Sequence, residues 1–465
     1  MRYVSTRGQD EELNFEEVLI SGLATDGGLY VPKIWPRISE DDMHSLAGLS
    51  YQEIAFKVMK PFTGETFSDE EFSEMIEKAY SKFDHKGVCP LVQLSNNHFL
   101  LELFHGPTLA FKDVAMQIIG QMFDKILKRK NLKATVIAAT SGDTGSAAME
   151  AFKKSELVDV FVLFPVGRVS EVQRRQMTTV ARPNIHALAV EGDFDDCQLL
   201  VKQMFNDHQF KNDANLTGVN SINWARVMSQ VVYFIASAIA LGSPRRKVSF
   251  SVPTGNFGDI FAAFVAKKMG LQIDKLVIAS NQNDILHRTL LTGVYSKEGL
   301  KETISPSMDI QVASNFERLL FELYDRGSEA VRESMENLSL NGKFQLSDNA
   351  LRKLRQDFYS GSVSEKMTAK VIKQTLKQYG ELVCPHTAVG LAVANKFCEF
   401  SHSVPMVTLA TAHPSKFPVS VKQCTGRDPM LPDRYNDLFV RSEVVLPVKN
   451  DINEIKTIIR ERIFS

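Results

Sequence analysis

Residues Thr135–Lys153 read TVIAATSGDTGSAAMEAFK. An apolar, β-prone run over Thr135–Ala139 enters a polar loop with glycines at 142 and 145 and leaves it as a helix predicted over Ser146–Lys153. Strand, glycine loop and helix in that order make half of a βαβ unit, because a parallel partner strand is reached only by a crossover. The same rhythm runs outward from this stretch. Val158–Phe164 precedes a helix near Glu171–Val180, Ile185–Val190 one near Asp196–Phe205, and Lys247–Val252 one over Asp259–Lys268. Leu276–Ala279 and Val404–Leu409 add further strands. The chain is therefore expected to be α/β, with right-handed parallel units that bind ligands beyond the carboxyl ends of their strands.

The flanks differ. Residues 1–95 read as mostly helical and polar, with Gly and Pro breaks; Ser68 caps a helix that continues with helical spacing from Phe72 to Phe83. Residues 287–380 are charged and read as a helical insertion. The apolar stretch Val227–Leu241 contains Ser229, Gln230 and Ser237 and falls short of a membrane span, so it reads as a buried core helix.

With 465 residues the chain exceeds one hydrophobic core, and two or three domains are expected. A net charge of -1 and a pI near 6.8 give no basic field to attract nucleic acid or an anionic membrane. Cys89, Cys197, Cys384, Cys398 and Cys424 are dispersed and odd in number, which reads as reduced thiols in a cytoplasmic protein; residues 1–8 carry no secretory h-region. No zinc or other metal site is expected from this spacing.

Three loops and one lysine carry candidate chemistry. Lys112 follows His105-Gly106-Pro107-Thr108, where the strand Phe99–Phe104 is expected to stop and a helix to start at Pro107 or Thr108. Lys112 shares a helical face with Ala115 and Ile119, so it projects at the edge of a buried stripe. Lysines there often snorkel, with the head in solvent. A buried one shifts toward the neutral amine that attacks aldehydes. Pro253–Asp259 joins a strand to a helix through Gly255 and Gly258. It is either a plain turn or an anion site built from backbone N–H groups. It lacks both the GK[ST] ending and GxGxxG, so a nucleotide or dinucleotide is disfavoured. Thr140–Ser146 offers four hydroxyls around two glycines, either as a helix cap or as a grip on a carboxylate. In the loop after the late strand, a hydroxyl is a candidate partner for a ring nitrogen and Lys416 a candidate charge for a phosphate, and both read equally well as solvated loop residues.

Together, His105–Asp113 (HGPTLAFKD), Thr140–Ala147 (TSGDTGSA), Asn220–Arg226 (NSINWAR), Pro253–Ile260 (PTGNFGDI) and Thr411–Phe417 (TAHPSKF) resemble the threonine synthases of the longer bacterial and fungal branch. Tyr3–Gly8 and Asp26–Pro32 extend the likeness toward the N-terminus. The resemblance implies a fold-type-II, tryptophan synthase β-like α/β enzyme with two doubly wound α/β domains and a mostly helical N-terminal region. The boundaries expected are 1–95, 96–225 (Lys112 and the carboxylate loop) and 226–465 (the phosphate loop and the insertion). It implies pyridoxal 5'-phosphate (PLP) as cofactor, held as a Schiff base by catalytic Lys112. Gly255, Asn256, Phe257, Gly258 and Asp259 correspond to its phosphate loop, and Thr411 to the hydroxyl facing its ring nitrogen. Thr140, Ser141, Asp143 and Thr144 correspond to the substrate-carboxylate loop, with Asn220, Arg226 and Lys416 as further substrate contacts. The implied reaction converts O-phospho-L-homoserine and water to L-threonine and phosphate. The alternatives are a related phospholyase giving 2-oxobutyrate and a catalytically inactive binder of the same fold. The expected assembly is a monomer or weak homodimer.

Overall fold

The computed structural model describes residues 1–399, 401 and 403–463. In chain order the strands are β1 (Tyr3–Ser5), β2 (Tyr30–Pro32), β3 (Leu91–Ser95), β4 (His98–Glu102), β5 (Ala134–Ala139), β6 (Val158–Pro165), β7 (Ile185–Val190) and β8 (Leu216–Thr217). There follow β9 (Val248–Pro253), β10 (Ile273–Ser280), β11 (Val294–Ser296), β12 (Lys343–Gln345), β13 (Phe358–Ser362), β14 (Met406–Ala410) and β15 (Leu446–Val448). The larger sheet has the order β13-β10-β9-β14-β4-β3 and is parallel except for β3, which pairs antiparallel with β4. The smaller sheet, β15-β7-β6-β5-β8, is wholly parallel.

The α/β reading holds, and the predicted strands all form, with ends displaced by a few residues. Three expectations change. The Lys112 helix runs Lys112–Lys130 rather than starting at Pro107 or Thr108. The Asp113 carboxylate folds back to accept the Thr108 N–H at 2.6 Å and the Thr108 hydroxyl at 2.8 Å, holding residues 106–111 as a loop. Residues 287–380 are not a helical insertion alone: β11 pairs antiparallel with β12, and β13 is an edge strand of the larger sheet. The first 95 residues are polar only on their outer faces. Phe15, Phe62, Phe67, Phe72 and Tyr80 are buried, and Tyr3 and Phe62 pack on Trp224.

Val227–Leu241 is indeed interior. The helix Trp224–Ala240 is buried along almost its whole length and packs against the helices Tyr51–Thr63, Lys112–Lys130 and Gly258–Met269. No helix among the described residues is long and apolar enough to cross a membrane. Asn223 caps this helix by accepting the Ala225 N–H at 3.1 Å, while its amide donates to Leu19 O at 2.9 Å, tying the N-terminal region to the core.

In the larger sheet β9, β14 and β4 are neighbours and run the same way. The loops after them, which carry Gly255, Thr411 and Lys112, leave one edge side by side. Because Asn223 is fully buried, Asn223→Ala strands the Leu19 carbonyl and uncaps the helix. It should destabilise the protein by roughly 2 kcal/mol, read as a lower denaturant midpoint.

Candidate active site

Lys112 opens its helix with a side chain only 12% exposed. Its amine lies 3.6 Å from Asp143 Oδ2, so the loop after β4 and the loop after β5 meet at this pair. Burial draws the Lys112 pKa down, Asp143 opposes that shift, and Arg226 and Lys416 reinforce it. A lowered lysine pKa moves the amine toward the neutral form, the direction expected from the sequence.

Asp143 is held from several sides. Its Oδ1 accepts the Gln173 amide at 2.9 Å and pairs with Lys416 at 3.1 Å. Burial pushes its carboxyl up, but Lys416, Lys112 and Gln173 outweigh that and hold it well below the usual carboxylate range. Lys416 is fully buried, and besides Asp143 its amine donates to Thr108 O at 2.6 Å and Gln176 Oε1 at 2.7 Å. An ammonium has three protons. Those of Lys416 are all committed, so it is not the free phosphate ligand expected from the sequence. The Asp143 side chain is an anion paired with two lysines.

The rest of the Thr140 loop keeps its donors open. Thr140 Oγ1 accepts the N–H groups of Gly142 at 2.9 Å and Gly145 at 3.0 Å, so this residue builds the turn. Gly142 has φ +135°, and a Cβ there would lie 2.4 Å from the Gln173 side chain, so only glycine fits. Among the described residues, the backbone N–H groups of Ser141, Asp143 and Thr144 and the hydroxyls of Ser141 and Thr144 have no hydrogen-bond partner.

The loop after β9 is a second set of open donors. The backbone N–H groups from Gly255 to Ile260 have no acceptor among the described residues, and the helix Gly258–Met269 starts without a side-chain cap. Phe257 sits at φ +63° with its ring packed on Phe316 and Phe358, so it offers backbone and not side chain. Asn256 O accepts from Asn315 N and Nδ2, both at 3.0 Å, which fixes the loop from outside. A Cβ at Gly255 would come within 2.7 Å of Ser307 O. Uncapped helical N–H groups converging at a helix N-terminus are what a phosphate dianion needs.

Asp259 contributes its open backbone N–H to this loop, while its side chain is buried elsewhere. Its carboxylate turns inward, accepting from the Tyr233 hydroxyl, and its Oδ2 has no partner. Burial pushes its carboxyl up to about 7, against Tyr233, Lys112 and Arg226. Arg226 is likewise interior: Nη1 donates to Val219 O at 3.1 Å and Nε is unpartnered. Burial lowers its pKa to about 10, while Tyr233, Asp259 and Asp113 raise it. Thr411 is buried and its carbonyl accepts the Phe111 N–H at 2.8 Å, one residue before the lysine. Its hydroxyl has no partner among the described residues. Asn220 is exposed, and the buried asparagine of that motif is Asn223.

Four residues of this cluster were not read from the sequence. Gln173 and Gln176 reach Asp143 and Lys416 from one face of the Glu171–Thr178 helix. Asp113 fixes the lysine loop, and buried His386 accepts the Ser307 N–H at 3.1 Å. Burial lowers the His386 pKa to about 4, so it is neutral near pH 7. A cavity of about 430 Å³ behind the lysine loop is lined by Glu102, His105, Leu109, His413 and Arg434 but not by Lys112.

Comparison with known proteins is consistent along the whole chain. Family models described as "Threonine synthase N terminus", "Pyridoxal-phosphate dependent enzyme" and "Threonine synthase, C-terminal" match residues 2–80, 82–411 and 387–459. The chain is 48% identical to threonine synthase of Pseudomonas aeruginosa over 99% of its length and 98% of the relative. It is similar to the crystal structure of PLP-bound threonine synthase from Brucella melitensis, with TM-score 0.97, 51% identity and 99% of each chain covered. It is also similar to yeast threonine synthase, with TM-score 0.94, 38% identity and coverage of 100% and 99%.

The Asp259 geometry sets a pH dependence. A carboxyl whose folded pKa lies near 7 binds its proton more tightly folded than unfolded. Its contribution to stability is therefore lost as pH rises from about 4 to about 7. Asp259→Asn keeps an acceptor for Tyr233 and removes that titration. In cofactor-free protein, the stability of the variant relative to wild type should rise across this window, by an order of a few kcal/mol at most. Denaturant midpoints measured at a series of pH values check it.

Proposed function

The chain belongs to the threonine synthase family of pyridoxal-phosphate-dependent enzymes, and on that premise we propose that it converts O-phospho-L-homoserine and water to L-threonine and inorganic phosphate. The observation that carries the reading is the meeting of three features around one buried amine. Lys112 has a depressed pKa, the N–H groups of Gly255–Ile260 are open to a phosphate, and the Thr411 hydroxyl is unpartnered beside Phe111.

These residues fit the cofactor. The Gly255–Ile260 backbone would hold its phosphate, Thr411 would face its ring nitrogen, and Lys112 would tether its aldehyde carbon. A neutral hydroxyl at the ring nitrogen, unlike an aspartate, does not force protonation there, which suits elimination and replacement over transamination. When bound, pyridoxal phosphate supplies an electron sink for charge developing at the substrate Cα.

The remaining work falls to this chain. The open N–H groups of Ser141, Asp143 and Thr144 and the hydroxyls of Ser141 and Thr144 take the substrate carboxylate. Lys112, once free, removes the Cα proton, hands it on within the site, and as a neutral amine again takes a proton from Cβ. Asp143 stands 3.6 Å away to balance the charge Lys112 acquires. Phosphate leaves Cγ, and water adds at Cβ after a proton is returned to Cγ. These steps require other water to be kept out, so closure of the two sheets' loops over the substrate is expected.

We divide the chain into residues 1–95, 96–225 and 226–465, with β15 returning from the last to the smaller sheet. A cytoplasmic setting accords with five free cysteines, three of them buried, and a monomer or weak homodimer is proposed from the family resemblance.

The test is to incubate the PLP-loaded protein with O-phospho-L-homoserine and assay phosphate, threonine and 2-oxobutyrate together. Equal phosphate and threonine is the expected result. Phosphate with 2-oxobutyrate would move the chain to the phospholyases, and no phosphate at all would overturn the substrate. Lys112→Ala should lower kcat by roughly a thousandfold or more, since one amine is both tether and base; kcat within tenfold of wild type would refute that dual role.

A further inference from the structure

We infer that Lys416 is a positioning residue for Lys112: it pins the Asp143 carboxylate and takes up most of its charge, leaving Lys112 free to act as a neutral amine. The inference rests on the reading of Lys112 as tether and base.

Asp143 lies between two amines, and their geometries are unequal. Lys416 meets Oδ1 at 3.1 Å, shares that oxygen with the Gln173 amide at 2.9 Å, and is anchored by Thr108 O and Gln176 Oε1. Lys112 faces Oδ2 at 3.6 Å, beyond hydrogen-bond distance. One carboxylate cannot fully pair two ammonium groups in a buried site. The tightly held partner, 0% exposed, is Lys416.

A lone carboxylate beside a buried amine would fix it as ammonium, which neither attacks an aldehyde nor accepts a proton. With Lys416 present, Lys112 meets a carboxylate already largely neutralised. Oδ2 still stands near enough to stabilise the ammonium formed when Lys112 takes the Cα proton, and that proton later leaves Lys112 for the substrate. The other groups within charge range of Lys112 are Arg226 on the Trp224–Ala240 helix, Asp259 at the start of the Gly258–Met269 helix, and neutral His386 on the Pro385–Cys398 helix. Arg226 adds to the effect of Lys416 and Asp259 opposes it. The pKa of Lys112 follows this balance: burial lowers it, Asp143 raises it, Arg226 and Lys416 lower it. Thr108 O also joins Lys416 to the very loop that carries Lys112, so the pin and the lysine move together.

The experiment compares Lys416→Met, Lys416→Arg and Asp143→Asn as PLP-loaded proteins. Two quantities are read: the acid limb of kcat against pH, and the pH dependence of the bound cofactor's visible absorption without substrate. Lys416→Met should move both to higher pH and lower kcat at pH 7 roughly tenfold or more, with KM changing less. Asp143→Asn should move both to lower pH, and Lys416→Arg should stay with wild type. Shifts of Lys416→Met and Asp143→Asn in the same direction, or no shift in either, would overturn the inference. Should Lys416→Met not fold or retain cofactor, Asp143→Asn decides, its downward shift supporting the inference and its absence overturning it. The absorption readout needs no substrate, so a wrong substrate assignment abolishes turnover but leaves the opposed absorption shifts intact.

Discussion

The register of three parallel strands determines where the chemistry sits. β14 pairs with β4 from Met406 opposite His98 to Ala410 opposite Glu102, and with β9 from Met406 opposite Ser249 to Thr408 opposite Ser251. The three strands therefore end at nearly the same height, and their loops leave together. A backbone bridge between Ala110 and Ala412, and the Phe111 N–H on Thr411 O, then lock the lysine loop to the Thr411 loop. A slip of β14 against either neighbour would turn its side chains to the opposite face and would carry Thr411 and Lys416 away from Lys112.

Within that frame the interior holds six ionisable groups close together: Lys112, Lys416 and Arg226 against Asp143, Asp113 and Asp259. Buried charge is costly unless paired, and the pairing here is graded. Asp143 has two lysines and stays strongly ionised. Asp113 has only Thr108 donors among the described residues, and burial takes its carboxyl up to about 6. Asp259 has Tyr233 on one oxygen and, among the described residues, no partner on the other. The strongest anion is thus the one beside the reactive amine, and the weaker ones lie around it.

What the sequence made legible was local. Gly142, Gly145, Gly255 and Gly258 with their flanking hydroxyls and amides announce strand–loop–helix joints within a few residues, and those joints formed. What stayed hidden was long-range. Lys416 and Asp143 meet across most of the chain, and nothing near either residue marks the other as its partner. Gln173 looks like the third residue of an ordinary capping box, which it also is. The short strands β8 and β15 carry too few residues to show a period. The N-terminal region looked polar because composition averages over both faces of amphipathic helices, and only packing around Trp224 reveals the inner one.

Helix starts away from the site include both capped and uncapped ones. Those at Phe15, Tyr51, Asp69, Glu171 and Phe194 begin with capping boxes that satisfy their first N–H groups. The two helices that face Lys112 from the loops after β5 and β9 begin at Gly142 and Phe257 with no side-chain cap, and both of those residues sit at positive φ. Open N–H groups and a left-handed Phe257 both cost stability. A serine or aspartate at either start would relieve the first cost, but its oxygen would occupy the space where the N–H groups converge. The expense is intelligible if those donors are reserved for anions that arrive later, one at each loop. Folding then leaves the site under-satisfied in donors and balanced in charge, so that binding a phosphate and a carboxylate completes hydrogen bonding that the chain alone does not.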